Sequence, residues 1–267
     1  MPRRIDPHDL LALWGTRLFP RLIDVRREER ARASGIRAAG SVWRHHRQAK
    51  SWLSREMAGR AITVYCAHGH NVSEIAAAEL SAGGADVSIL AGGLDGWIRA
   101  GGPTIRLDTD GVDLMTGTTA WVTRERPKID RVACPWLIRR FIDPDAVFHY
   151  VGAEWVADVA EELDAVPYDV EGVRFSHRGE RCSFDAMIED FGIEDAALAP
   201  LAAIVRGADT ARFDLSPQAA GLAAVSFGLS AAESDDLRQL EAGITLYDAL
   251  YAWCRYAHDE THNWRAA

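Results

Sequence analysis

The sequence predicts an α/β domain built on a parallel sheet over residues 1–102, and a mainly α-helical (α+β) domain over residues 119–267. Three patterns predict it. Short β-branched runs alternate with helix-length stretches through the first hundred residues, the rhythm of βα units around a parallel sheet. Residues 101–118 concentrate Gly, Pro, Thr and Asp and read as a connection, with 103–118 as the linker proper. Beyond it helix-length segments dominate.

In chain order, a helix is expected over Asp9–Arg17 and a strand over Arg21–Val25. A turn-rich segment then leads to Gly40–Trp43 and a helix near His46–Met57. Ala61–Tyr65 alternates and branches like a buried strand, and Ser73–Leu80 reads as a helix with Ser73 at its N-cap. A strand at Asp86–Leu90 and a helix from about Leu94 complete the unit. The second domain offers strands at Trp121–Thr123 and Val147–Val151 and a helix over Pro135–Phe141. Further helices are expected over about 154–164, 184–191, 196–206, 217–227 and 232–257.

With 48% hydrophobic and 26% charged residues, the 267-residue chain has the composition of a folded globular protein. No run approaches the ~20 apolar residues that span a bilayer. The opening Met1–His8 lacks an apolar core and a cleavage site, so no signal peptide is expected. Cys66, Cys134, Cys182 and Cys254 lie far apart without a CxxC pair. That spacing argues against a disulfide framework or a zinc ribbon and suits a reducing cytoplasm. The net charge of −9 is unevenly divided: residues 1–60 hold thirteen Arg and one Lys against six acids, +8, which leaves −17 for the rest. The basic segment would attract small anions; it equally fits a general arginine bias, 28 Arg against 2 Lys. No basic recognition helix stands out, so neither nucleic acid nor a membrane is expected as a partner.

Cys66 is the residue the pattern singles out. It opens the stretch Cys66-Ala-His-Gly-His-Asn-Val-Ser73, between a strand end and a helix N-terminus. Backbone N–H groups and the helix dipole converge at such a place, so it favours an anion and a nucleophilic thiolate. Gly69 lets the loop curl, and His68 and His70 stand at its rim or simply face solvent. The other reading of Cys66 is a buried structural cysteine. Asp24 and Arg26 read as a structural pair beside the loop.

Four blocks, Leu22-Ile-Asp-Val-Arg26, Gly35-Ile-Arg-Ala-Ala-Gly40, Val64-Tyr-Cys-Ala-His-Gly69 and Leu90-Ala-Gly-Gly-Leu-Asp-Gly-Trp97, resemble in order the signature blocks of rhodanese-like domains. The resemblance covers roughly residues 5–102. It implies a rhodanese-like fold and sulfur transfer: Cys66 attacks the outer sulfur of thiosulfate or a similar small anionic donor, and its persulfide passes the sulfur to a thiol or cyanide. The amides of Ala67, His68, Gly69, His70, Asn71 and Val72 would hold the persulfide and substrate. Two features depart from the family pattern. The second block lacks the usual His-Ile-Pro, and Ser73 lies seven residues after Cys66 where many members have six. A longer loop is similar to that of the related cysteine phosphatases. Those need an Arg at the position of Val72, so phosphatase activity is not expected.

Residues of about 119–258 resemble the C-terminal domain of the chromate-resistance protein B family. The resemblance rests on Asp130–Pro144, Phe175–Asp185, Ile204–Asp209 and Pro217–Gly221. It implies a chromate-resistance or oxidative-stress context, with chromate as a candidate ligand. Arg forks and a histidine suit a tetrahedral dianion, and Arg124, Arg131 and His177 are the candidate oxyanion-binding set. The alternative pairs Arg131 and Arg139 with Asp130 or Asp143. His177, Glu180 and Cys182, or His258 with His262, have partial metal-ligand spacing. Neither completes a ligand set, so no metal and no cofactor is expected. Cys134 and Cys182 are either sulfur acceptors from Cys66 or buried core residues. The whole reads as a sulfurtransferase; the rival is a non-enzymatic chromate or redox sensor, or a metal-binding regulatory protein.

Overall fold

The computed structural model describes residues 2–49, 51, 60–107, 109, 112–115 and 118–260. In the first domain the strands are β1 (Arg3–Ile5), β2 (Arg21–Asp24), β3 (Ile36–Ala38), β4 (Ser41–Trp43), β5 (Ile62–Tyr65) and β6 (Val87–Leu90). Five of them form a parallel sheet in the order β1-β6-β5-β2-β4. Every residue of the middle strand β5 is buried, as its unbroken β-branched run demands of a parallel strand covered on both faces. The remaining strand, β3, pairs antiparallel with β7 (Thr104–Arg106).

Helices α1 (Pro7–Ala12), α2 (Glu28–Ser34), α3 (Val72–Ala82) and α4 (Gly93–Arg99) flank this sheet. Helix α1 starts earlier than the expected Asp9 because Asp6 caps it, accepting from the His8 amide at 2.8 Å, with Pro7 at its first position. It stops well short of Arg17, and Gly15 at φ 77° turns the chain toward β2. Ser73 does not cap α3 as expected. Asn71, at φ 48°, holds that place, and Ser73 lies buried inside the first turn. Of the helix expected near His46–Met57, a 3₁₀ turn at His46–Gln48 is seen; residues 50 and 52–59 lie outside the described residues.

The second domain holds a small parallel sheet, β8 (Ala120–Arg124), β9 (Val147–Val151) and β10 (Val166–Pro167), in the order β10-β8-β9. Around it lie α5 (Asp130–Leu137), α6 (Val156–Glu162), α7 (Ser183–Asp190), α8 (Leu198–Asp209), α9 (Ala219–Ala232) and α10 (Asp236–Ala252). Helix α5 begins five residues before the expected Pro135 and runs on as a π turn through Ile142. Pro135 inside a helix has no N–H for the carbonyl of Arg131, four residues back. The Tyr150 hydroxyl, from β9, donates to that oxygen at 3.0 Å and that of Tyr168 reaches it at 3.5 Å. The sheet thus satisfies the gap the proline leaves.

One hydrophobic cluster runs through both domains. Trp14, after α1, meets Trp97 of α4 at 6.1 Å and Phe141 at 5.2 Å, and its Nε1 donates to the Tyr251 hydroxyl at 2.8 Å. The segment between the domains shares this packing through Ile105, Val112 and Leu114.

The turn between β6 and α4 clamps the loop that follows β5. The Leu94 amide donates to the Cys66 carbonyl at 2.8 Å and the Asp95 amide to that of Ala67 at 3.2 Å. Gly93, at φ 57°, is the closest approach: a Cβ there would sit 2.2 Å from the Cys66 carbonyl oxygen and 2.6 Å from that of Ala67.

Two substitutions test these contacts. Tyr150→Phe strips the Arg131 carbonyl of its nearer donor and should lower unfolding stability by about 0.5–1.5 kcal/mol in a denaturant titration; an unchanged midpoint would show that the Tyr168 hydroxyl suffices. Gly93→Ala should cost more than Gly101→Ala. Both positions have positive φ, worth roughly 1–2 kcal/mol, but Gly101 has open space around it. Equal losses in the two variants would mean the clamp contributes nothing.

Candidate functional site

Cys66 follows the carboxyl end of β5 and leads, through five residues, into α3. The residue is 8% exposed, and its thiol donates to the His70 carbonyl oxygen at 3.1 Å. Gly69 at φ 75° and Asn71 at φ 48° curl the loop so that this carbonyl faces the sulfur. Other loop carbonyls are taken up by α4, as above, and by Arg4, whose Nη1 donates to that of Gly69 at 2.8 Å. Among the described residues no backbone carbonyl accepts from the amides of Ala67, His68, Gly69, His70 or Asn71. Those donors are uncommitted by the fold. The side chains of His68 and His70 are exposed, and His68 Nδ1 lies 2.9 Å from an Asp95 carboxylate oxygen.

Asp24 and Arg26, both buried, form the structural pair the sequence suggests. Three hydrogen bonds of 2.6–2.9 Å join guanidinium and carboxylate, and the remaining donors reach Ser34 Oγ and the Ile36 carbonyl. Burial opposes the Arg26 charge, but Asp24 raises its pKa above the ordinary value. Every nitrogen of this guanidinium thus has a partner within the protein.

The structure brings Arg124, Arg131 and His177 together, and they meet on a carboxylate. Asp169 Oδ2 lies 3.4 Å from Arg124 Nη2 and 3.5 Å from Arg131 Nε, while Oδ1 lies 3.5 Å from His177 Nε2. Arg131 therefore pairs with Asp169 and Arg139 with Glu241 at 2.5 Å, not with Asp130 or Asp143. Two more carboxylates close on the same imidazole: Asp209 Oδ2 at 3.1 Å and Asp130 Oδ2 at 3.6 Å. A free dianion at this point would face three carboxylates, with both guanidiniums already turned to Asp169.

The protonation equilibria follow from that crowding. Burial first, then Asp209 and Asp169, push the Asp130 carboxyl well above the usual range. Burial and Asp169 push Asp209 up as well. Asp169 goes the other way despite its burial, held down by His177, Ser183, Arg131 and Arg124. The Asp169 hydrogen bond, with the charges of Asp130 and Asp209, raises His177 to about 9.

Of the other metal-ligand candidates, Glu180 stands exposed at the tip of a turn, across which Arg178 and Arg181 exchange backbone hydrogen bonds. Cys182, fully buried at the base of that turn, donates to Asp185 Oδ2 at 3.4 Å. His258 is exposed and His262 lies outside the described residues. Sequence reasoning found His177 and missed Asp130, Asp169 and Asp209. One signal was available: Asp209 ends helix α8, where the dipole opposes a carboxylate.

Residues 6–100 match the rhodanese-like domain family, and residues 121–254, half of the chain, match the family described as ChrB, C-terminal domain. Protein ChrB of Cupriavidus metallidurans is 40% identical over 134 residues, which cover 49% of this chain and 39% of that protein. The chain thus spans about two-fifths of that relative's length. Among solved structures, a rhodanese-related protein from Thermoplasma volcanium is 25% identical over 38% of this chain and 96% of its own, with a TM-score of 0.32. A Rhodopseudomonas palustris protein of unknown function, described as a possible tyrosine phosphatase, is 21% identical over 38% of this chain and 83% of its own, with a TM-score of 0.33. The chain belongs to the ChrB C-terminal domain family and carries a rhodanese-like domain ahead of that module.

Proposed function

We propose that the protein is a sulfurtransferase in which Cys66 carries a sulfane sulfur, working in a chromate-resistance or oxidative-stress setting. The observation that carries this reading is the set of uncommitted amides from Ala67 to Asn71 in the loop that opens at Cys66. A persulfide is an anion, and preorganised amides at a helix N-terminus stabilise one without ionisable competitors. The membership of residues 6–100 in the rhodanese-like family supports the same chemistry.

In the first half-reaction the Cys66 thiolate attacks the outer sulfur of thiosulfate. The new S–S bond forms as the old one breaks, and sulfite leaves with the bonding pair. In the second, cyanide or a thiolate attacks the terminal sulfur and Cys66 departs as thiolate. The thiol proton, which now lies toward the His70 carbonyl, has to leave before the first attack. The chromate setting rests on the ChrB relationship of the second domain, and the acceptor there would be a cellular thiol.

Intact-protein mass spectrometry after thiosulfate treatment tests the reading. Wild type should gain the mass of one sulfur and lose it on addition of cyanide, and Cys66→Ser should gain none. Absence of an adduct on wild type, or an equal adduct on Cys66→Ser, would overturn it and turn attention to a sensor in which Cys66 is a redox switch.

A further inference from the structure

We infer that Asp130, His177 and Asp209 form an open site for a divalent first-row transition cation, the three side chains supplying one face of its coordination shell. Their donor atoms all lie within 4.8 Å of one another, with His177 Nε2 at 3.1 Å from Asp209 Oδ2 and 3.6 Å from Asp130 Oδ2. Donors about 2.1 Å from a common ion stand roughly 3–4 Å apart, so small side-chain movements would seat the ion.

A second observation points to a ligand. The Asp130 side chain is 1% exposed, and while Oδ2 accepts from the Ser183 amide at 2.5 Å, Oδ1 is buried with no hydrogen-bond partner among the described residues. A buried, unpartnered carboxylate oxygen is costly, and a metal ion removes that cost.

With His177 neutral as a ligand, Arg124 and Arg131 set against Asp130, Asp169 and Asp209 leave one net negative charge for a cation to meet. The imidazole ligand favours a transition metal over magnesium or calcium. Asp209 at the C-terminal end of α8 also gains, since a cation suits that end of a helix. His177 is 42% exposed, so the remaining coordination positions face solvent. That openness is what a metal needs to hold a water or an exogenous anion. The site lies in the second domain and stands or falls independently of sulfur transfer at Cys66.

Manganese(II) is the probe, since it favours oxygen and imidazole over buried thiols. Electron paramagnetic resonance titration of the metal-free full-length protein should show one Mn²⁺ taken up per chain, equally in wild type and Glu180→Gln. His177→Gln and Asp209→Asn should each bind at least ~10–100-fold more weakly. Asp209→Asn without metal should melt no lower than wild type, because it relieves the carboxylate crowding; a residue serving merely as the ion-pair partner of His177 would melt lower when lost. Spin-echo modulation from a directly bound nitrogen in wild type gives a readout that needs no variant. Free Mn²⁺ undiminished by wild type at millimolar concentration, full binding by both variants, or a bound ion without nitrogen coupling would each overturn the site.

Discussion

Arg37 is 1% exposed, yet among the described residues its guanidinium donates to no carboxylate: Nη1 donates to the Leu114 carbonyl at 2.8 Å and Nη2 to that of Ile142 at 2.5 Å. Burial lowers its pKa, but a guanidinium keeps its proton in proteins, so the charge stays and needs oxygens around it. Those oxygens come from the connecting segment and from the end of the π turn after α5, while Arg37 itself belongs to β3 of the first domain. Folding either domain without the other would leave this charge, or the two carbonyls, without partners. The surrounding contacts follow the same line. The Gly40 amide donates to the Phe141 carbonyl at 2.7 Å, and Asp145 receives Arg21 and Arg44 at 2.6 and 2.9 Å. Burial of Val112 and Leu114 is then a consequence, since the chain that carries Leu114 to Arg37 has to cross the shared core.

What the sequence made legible was local. Cys66, the glycines of its loop and the β-branched run before it lie within a dozen residues, and each constrains its neighbours through backbone geometry alone. The alternation of strands and helices was readable for the same reason. Asn71 and Ser73 are both residue types that favour an N-cap, so the sequence alone does not separate them, and it is the turn of the chain at Asn71 that decides. Helix α5 was started too late because Pro135 reads as a first-turn residue. Its tolerance deeper in the helix depends on Tyr150, whose sequence position gives no hint of that contact.

The acidic cluster was illegible for a different reason. Asp130, Asp169 and Asp209 sit 39 and 40 residues apart, on α5, a loop and α8, and each taken singly reads as a cap or a solvated charge. Only tertiary packing places them around His177. The arginines show the converse case. Arg124, Arg131 and His177 lie around one point, and the group at that point is the protein's own Asp169. A basic residue type carries information about the charge it seeks, and none about whether that charge is a ligand or a side chain.

The two sites divide the chemistry of the chain. Cys66 stands in a loop with exposed histidines and uncommitted amides. Cys134 and Cys182 are fully buried beside the acidic cluster, and burial together with Asp130 pushes both thiols up. Burial pushes Cys254 up too, to about 11. Sulfur transfer needs an attacking thiolate that can reach the persulfide. Cys134 and Cys182, fully buried and with their thiols pushed up, do not meet that condition, so an internal relay from Cys66 to either is disfavoured both by protonation and by access. A sulfur taken up at Cys66 would therefore leave on an external acceptor. Any chemistry in the second domain would then depend on oxygen and imidazole donors, with its thiols serving as core.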